Sequence, residues 1–360
     1  MSIEPAWRNA PRILLAGQMF DASRTVQRVH ALRSLGCHVD CVATTPENHD
    51  YETPPSVAAR LRYRLRRPAD PAHANAGILK SLAGETDIVW LDAADMIHGD
   101  TLAEAKRRNP ELAVVWYSED DMMNKRLRTK WLESAIPHID LWVTTKSFNT
   151  APDEVPSLGV RQMLFVNNSY DPNLHRPVQM TDDDVARYGA PVSFIGTFEA
   201  PRAKSVLHLA RAGYDVRVWG NGWESMKNAH AHLRIEGRPA YNDEFAKVVA
   251  ASNINLCFLR HANRDLQTCR SIEISGCGGF MAHEANTEIM ALFRDGQEAV
   301  YFTSDDELTA ICAVWMGRRD ERRKIGLAAN ARVDELSMDH ASNATRILNE
   351  LVSLEKVAAQ

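Results

Sequence analysis

RILLAGQMFDASRTVQRVHALRSLGCHVDCVAT, residues 12–44, reads as strand, helix, strand. RILLAG (12–17) is an apolar run of the length a buried strand needs. Ser23 can cap the helix that follows, and Val26, Val29, Ala31, Leu32 and Leu35 recur along it at helical spacing. Gly36 ends it, and HVDCVAT (38–44) is the next strand. Strand, helix and strand with short connections begin a doubly wound parallel sheet, so the fold class is α/β. No GxGxxG follows the first strand, which removes the main support for dinucleotide binding.

DIVWLD (87–92), LAVVWY (112–117) and LWVTT (141–145) continue the series, with helices expected near 100–108 and 124–135. VRQMLFVNNSYDPNLHRP (160–177) is a strand running into a proline-bounded turn, and TDDDVARYGAP (181–191) is polar and breaker-rich, as a linker is. A second α/β series then starts with VSFIG (192–196), a helix over 203–212 and YDVRVW (214–219), which ends in Gly220-Asn221-Gly222. LRIE (233–236), a helix over 242–252 and INLCFL (254–259) follow, and helices near 287–295, 304–317, 319–335 and 339–356 close the chain. The two halves are alike in kind, without a sequence repeat.

Four stretches carry candidate chemistry. DLQTCRSIEISGCGGFMAHE (265–284) reads as loop, helix and strand, with Thr268 or Ser271 as N-cap and Gly276, Gly278 and Gly279 ending the helix. A helix N-terminus favours anions, Arg270 adds a full positive charge, and Glu273 is an acceptor suited to a sugar diol. Phosphate and ribose together suggest a nucleotide; otherwise Arg270 and Glu273 are a solvated i, i+3 pair worth a few tenths of a kcal/mol. In GTFEAPRAK (196–204), Gly196 lets a ligand approach the backbone while Arg202 and Lys204 can neutralise phosphate; the other reading is a helix with two surface cations. YSEDD (117–121) lies past a strand's carboxyl end, where Asp120 and Asp121 can orient sugar hydroxyls, act as a base, or simply cap a helix. RLRYRLRR (60–67) interleaves five arginines with Leu61, Tyr63 and Leu65. It could meet an anionic membrane face at roughly 1 kcal/mol per basic residue. As a helix its apolar residues form no single stripe, so the segment reads as exposed and hydrated.

The chain has 360 residues, 45% hydrophobic and 25% charged, and carries a net charge of −5. That length suits two domains, and the charge argues against a nucleic-acid partner. No apolar run approaches the roughly 18 residues of a membrane span. The start, MSIEPAWRNAPR, lacks the apolar core of a signal peptide. Six cysteines form no CxxC pair, and several lie in apolar runs, which is how reduced thiols of a cytoplasmic protein look.

Taken together, these segments resemble the two-domain GT-B nucleotide-sugar glycosyltransferases, and most closely the CgeB-like (spore-maturation protein) group allied to the retaining group 1 enzymes. FVNNSYDPNLHRP (165–177), FIGTFEAPRAK (194–204), DLQTCRSIEISGCGGF (265–280) and ALFRDGQEAVYFTSDDEL (291–308) carry the likeness. It is strong over 160–320 and only architectural over 1–159. The resemblance implies that Glu273 binds the ribose hydroxyls and that Asp265, eight residues earlier where the family has Glu, contacts the transferred sugar. Thr197 stands where the family has Arg, so Arg202, Lys204 and Arg270 are the substitutes for that charge. Gly196, Thr197, Gly220, Asn221 and Ser271 complete the expected donor site.

The resemblance also implies two Rossmann-like domains facing across a cleft. The expected division is 1–178 for acceptor, 179–191 as linker, 192–338 for nucleotide sugar, and 339–360 as a helix returning to the first domain. Transfer would need neither metal nor cofactor, with Asp265, Arg270, Asp120 and Asp121 as the catalytic candidates. The acceptor, a glycan, lipid-linked glycan or small molecule, would dock near 17–23 and 119–121. An epimerase of the same fold and a non-catalytic nucleotide- or sugar-binding module are the alternatives.

Overall fold

The computed structural model describes residues 10–358. They form two compact units: one runs up to Asn167 and resumes at His340, and the other is Asn168–Asp339.

The first unit has strands β1 (Arg12–Gly17), β2 (His38–Ala43), β3 (Ile88–Asp92), β4 (Ala113–Ser118), β5 (Leu141–Thr144) and β6 (Met163–Phe165). Its helices are α1 (Arg24–Ser34), α2 (Val57–Arg64), α3 (Ala74–Ser81), α4 (Gly99–Arg108) and α5 (Lys130–Ala135). The strands form one parallel sheet in the order β2-β1-β3-β4-β5-β6. Alternation along each strand feeds two cores. Leu14, Val89, Trp116 and Trp142 pack with Ile78, Leu102 and Leu132 on one face. Ile13, Leu15, Trp90 and Val115 pack with Val29 and Leu32 on the other. Burial on both faces is why these strands read as continuous apolar runs.

The second unit has β7 (Ala190–Ile195), β8 (Val216–Trp219), β9 (Leu233–Ile235), β10 (Ser252–Cys257), β11 (Met281–Glu284) and β12 (Val300–Phe302). Its helices are α6 (Asp182–Tyr188), α7 (Ala200–Arg211), α8 (Asn242–Ala251), α9 (Cys269–Gly276), α10 (Thr287–Leu292), α11 (Asp305–Trp315) and α12 (Arg319–Glu335). This sheet is also parallel, in the order β12-β11-β10-β7-β8-β9. The last helix, α13 (His340–Ala358), belongs to the first unit, where Ile347, Leu348 and Leu351 join the core beside α1. Strand order reverses between β1 and β3 in one sheet and between β7 and β10 in the other. Carboxyl ends of strands at such switch points are where open α/β sheets hold ligands.

Several sequence expectations need adjusting. Residues 168–178 pack with the second unit: the Tyr170 hydroxyl donates to Asp334 at 2.7 Å and its amide to the Met338 carbonyl at 3.2 Å. The stretch 181–191 contains helix α6, because Thr181 and Asp184 form a reciprocal capping box that offsets the polar composition. Residues 124–129 lie outside a helix, since Thr129 caps α5 by accepting from Leu132 at 3.0 Å. Residues 57–64 are helical, with Ser56 accepting from Ala59 at 3.1 Å. The cysteines are all free, and only Cys41 is exposed. Among the described residues no helix is long and apolar enough to cross a membrane.

Candidate functional site

At the switch point of the second unit, the end of β7 turns into α7 through Gly196 and Thr197. Gly196 donates to the Trp219 carbonyl at 2.8 Å and its own carbonyl accepts from Trp223 Nε1 at 2.9 Å. Gly220 lies against that same carbonyl: a Cβ there would stand 1.9 Å from it, so no other residue fits. Asn221 accepts from the Phe198 amide at 2.9 Å, tying the two loops at this rim together.

Helix α9 points its N-terminus at the end of β10. The Thr268 amide donates to Ser271 Oγ at 3.1 Å, settling Thr268 as the N-cap. Ser271 Oγ in turn lies 2.8 Å from His283 Nε2, and His283 Nδ1 lies 2.6 Å from the Glu284 carbonyl. A carbonyl only accepts, so Nδ1 carries the proton and Nε2 accepts from Ser271. Burial pushes His283 down to about 4, which keeps this ring neutral. Ser271 is thus a buried strut that orients the helix.

Arg270 and Glu273 are ion-paired one turn apart. Glu273 is buried, so the pair is no solvated surface contact. Arg270 also donates through Nε to the Ile195 carbonyl at 3.1 Å and stacks 4.6 Å from the Phe245 ring centre. These contacts fix its guanidinium at the end of β7. On the other side of Glu273 stands buried His175, with Nε2 4.0 Å from Oε1. His175 Nδ1 accepts from the Asp171 amide at 3.2 Å, which leaves the ring proton on Nε2, facing the carboxylate.

Arg202 is buried at the first turn of α7, donating through Nη1 to the Thr197 carbonyl at 3.1 Å, while its Nε has no partner. Burial lowers its pKa, Glu199 at 3.5 Å from Nη1 offsets part of that, and the nearby charge of Arg260 adds to the lowering. A desolvated cation with an open donor gains from any anion brought beside it. Arg260, which sequence reasoning passed over, leads the loop into α9. Its Nε donates to Asp265 at 2.9 Å, and Asn263 Nδ2 donates to the other oxygen at 2.6 Å. Asp265 is buried, and it holds the turn in which Arg264 takes a left-handed φ of +48°. Lys204 goes elsewhere: its side chain is 82% exposed and pairs with Asp305 of α11 at 3.6 Å. The site therefore gathers Arg202, Arg260, Arg270, His175 and Glu273.

The first unit has its own cluster at its switch point. Buried Arg28 of α1 donates to Asp92 through Nε at 2.6 Å and Nη2 at 2.7 Å, and to Glu119 through Nη1 at 2.8 Å. Gly17 makes the close approach possible, since a Cβ there would meet Thr25 Cγ2 at 2.5 Å and Asp92 Cβ at 3.0 Å. Asp121 is buried, accepting from Asn149 Nδ2 at 3.0 Å and the Met123 amide at 3.1 Å, which makes it a loop anchor. Asp120 is half-buried, and its amide donates to Ser118 Oγ at 3.1 Å. Near it stands Asp95, whose carboxyl burial pushes up to about 7, the Asp120 charge adding and a Tyr63 hydrogen bond offsetting. Among the described residues no three His, Cys, Asp or Glu side chains are placed to hold a metal ion.

Residues 202–349 match the model of the family described as Glycosyl transferase-like. No curated protein matches the chain. Among solved structures, sucrose-phosphate synthase from Thermosynechococcus elongatus is similar over 97% of this chain and 100% of its own, at 13% identity and TM-score 0.63. HepE from Anabaena, solved with UDP and glucose, covers 97% and 100% at 13% identity and TM-score 0.60. Trehalose 6-phosphate synthase from Burkholderia multivorans covers 98% and 99% at 8% identity and TM-score 0.61. The chain has the GT-B fold, and the stretch that matches the family model includes Arg202, Arg270 and Glu273.

Proposed function

We propose that this protein transfers a sugar from a nucleoside-diphosphate sugar to a sugar-containing acceptor, without a metal, in the manner of the CgeB-like group. The observation that carries the reading is the buried Glu273, held by Arg270 and faced by His175 at the switch point of the second sheet. Glu273 receives the ribose hydroxyls. Arg270, Arg202 and Arg260, with the first amides of α9, take the diphosphate. Negative charge on the departing diphosphate grows in the transition state, so fixed cations there lower the barrier. HepE, solved with UDP-glucose, supports a nucleotide-sugar donor for a chain of this fold. Asp265 is spent on Arg260 and Asn263, so it shapes the donor loop and reaches a sugar only if that turn opens.

Glu273→Ala tests the donor site. Isothermal calorimetry with UDP and GDP should show binding weakened more than tenfold, the loss of a charge-assisted hydrogen bond worth about 1.5–3 kcal/mol. Unchanged affinity for both would remove Glu273 from the site. A donor assay without acceptor separates an epimerase, which would interconvert the sugar, from a transferase.

For stereochemistry we propose retention, the leaving phosphate taking the acceptor proton. Asp120→Asn should then cost less than tenfold in turnover, and proton NMR should show the product's anomeric configuration unchanged from the donor's. One observation favours inversion instead: Asp95, raised to about 7 beside Asp120, is tuned as a general base is. An inverted product together with a thousandfold loss in Asp95→Asn would establish that reading.

A further inference from the structure

Helix α2 buries none of its side chains. Val57, Leu61 and Leu65 recur at i, i+4 and i+8 and are 73%, 57% and 63% exposed. They make the single stripe that the segment 60–67 lacks when read alone, because Val57 lies just before it. At 3.6 residues per turn, Arg60 and Arg64 flank this stripe on one side and Arg62 on the other. All three arginines are exposed. Among the described residues, the other large exposed apolar side chains are Tyr63, on the opposite face of α2, and Tyr51, Val185, Met290, Val314 and Leu327, which fall in separate stretches of the chain.

The helix is also held in place. Tyr63, about 200° around from Leu61, faces Asp95, and the two interact electrostatically. Arg66 pairs with Glu133, and its carbonyl accepts from the Lys130 amide at 2.7 Å. With that side tied down, the apolar stripe and its arginines are turned outward. A second copy is a poor partner for this face, since a two-fold contact pairs the patch with itself and sets arginine against arginine. The basic cluster stands out on a chain whose net charge is −5, so its complement is an extended anionic surface with an apolar interior.

We propose that α2 anchors the protein to anionic lipid bilayers, Val57, Leu61 and Leu65 entering the interface while Arg60, Arg62 and Arg64 meet lipid phosphates. Charged and apolar contributions act together in such helices. Co-sedimentation with phosphatidylglycerol–phosphatidylcholine vesicles at low salt, against pure phosphatidylcholine, tests it. The protein should partition onto the first and not the second. Arg60→Ser/Arg62→Ser/Arg64→Ser should lower the partition coefficient about a hundredfold, roughly fivefold per arginine. Leu61→Ser/Leu65→Ser should lower it at least tenfold.

Because α2 buries nothing, both variants should unfold at the wild-type temperature, which separates loss of docking from loss of fold. Absence of partitioning onto anionic vesicles would overturn the proposal. So would leucine variants that bind as wild type, or a concentration-dependent dimer that the leucine substitutions abolish while vesicle binding persists. The readout needs no substrate, so its failure leaves the sugar-transfer reading untouched, and the converse holds.

Discussion

Arg270→Ala is expected to lower kcat for sugar transfer by about 10²–10³-fold, the usual cost of removing one preorganised group that stabilises developing charge. The guanidinium is fixed by the Ile195 carbonyl, by the Phe245 ring and by Glu273, so it loses little freedom when a diphosphate arrives. Its help grows as the diphosphate leaves, so the loss should fall on kcat more than on KM. The same substitution strands the buried Glu273 carboxylate, which should cost about 2–3 kcal/mol of unfolding free energy. Adding Glu273→Gln to Arg270→Ala removes the stranded charge, so stability should recover while turnover does not. Arg270→Lys keeps the charge but not the planar fork, and should restore part of the rate. A fall in kcat of tenfold or less in Arg270→Ala would place Arg270 outside the reacting centre.

What the sequence made legible follows from how local each signal is. The strands stood out because burial on both sheet faces demands continuous apolar runs, as in RILLAG and IVWLD. Arg270 and Glu273 were legible because they sit one turn apart on one helix, so their spacing alone sets them side by side. Arg260 was not, since only the turn closed by Asp265 and Asn263 brings it to α9. His175 lies within a segment quoted for its family likeness, yet its meeting with Glu273 depends on two stretches far apart in sequence. Lys204 shows the converse: two residues past Arg202 on a helix is about 200° around it, which carries its side chain toward Asp305. In α2, the stripe became visible only once the helix was seen to begin at Val57.

The same lack of local signal hides the network on which the largest stability prediction rests. Arg28 and Asp92 are 64 positions apart, and Arg28 and Glu119 are 91 apart. The crossover at the β1/β3 switch point alone unites them. Arg28→Ala should destabilise the protein by about 3–5 kcal/mol in denaturant unfolding, because it leaves the buried Asp92 carboxylate without its counter-charge and Glu119 with Arg24 alone. Arg28→Lys should recover only part, since an ammonium cannot span both acids as the fork does. The pH dependence gives an independent check. Burial alone would raise Glu119, but Arg24 and Arg28 bring it from 4.5 down to about 2. A carboxyl lowered in the folded state stabilises above its unfolded pKa, and that stabilisation is lost as pH falls through the folded value. The wild-type protein should therefore lose about 2–3 kcal/mol through this group between pH 5 and pH 2. Glu119→Gln should flatten that slope, and Arg28→Ala should flatten it in part, because Arg24 remains 3.5 Å from the carboxylate. A loss under 1 kcal/mol in Arg28→Ala, with the acid slope unchanged, would mean that solvent rather than Arg28 balances Asp92 and Glu119.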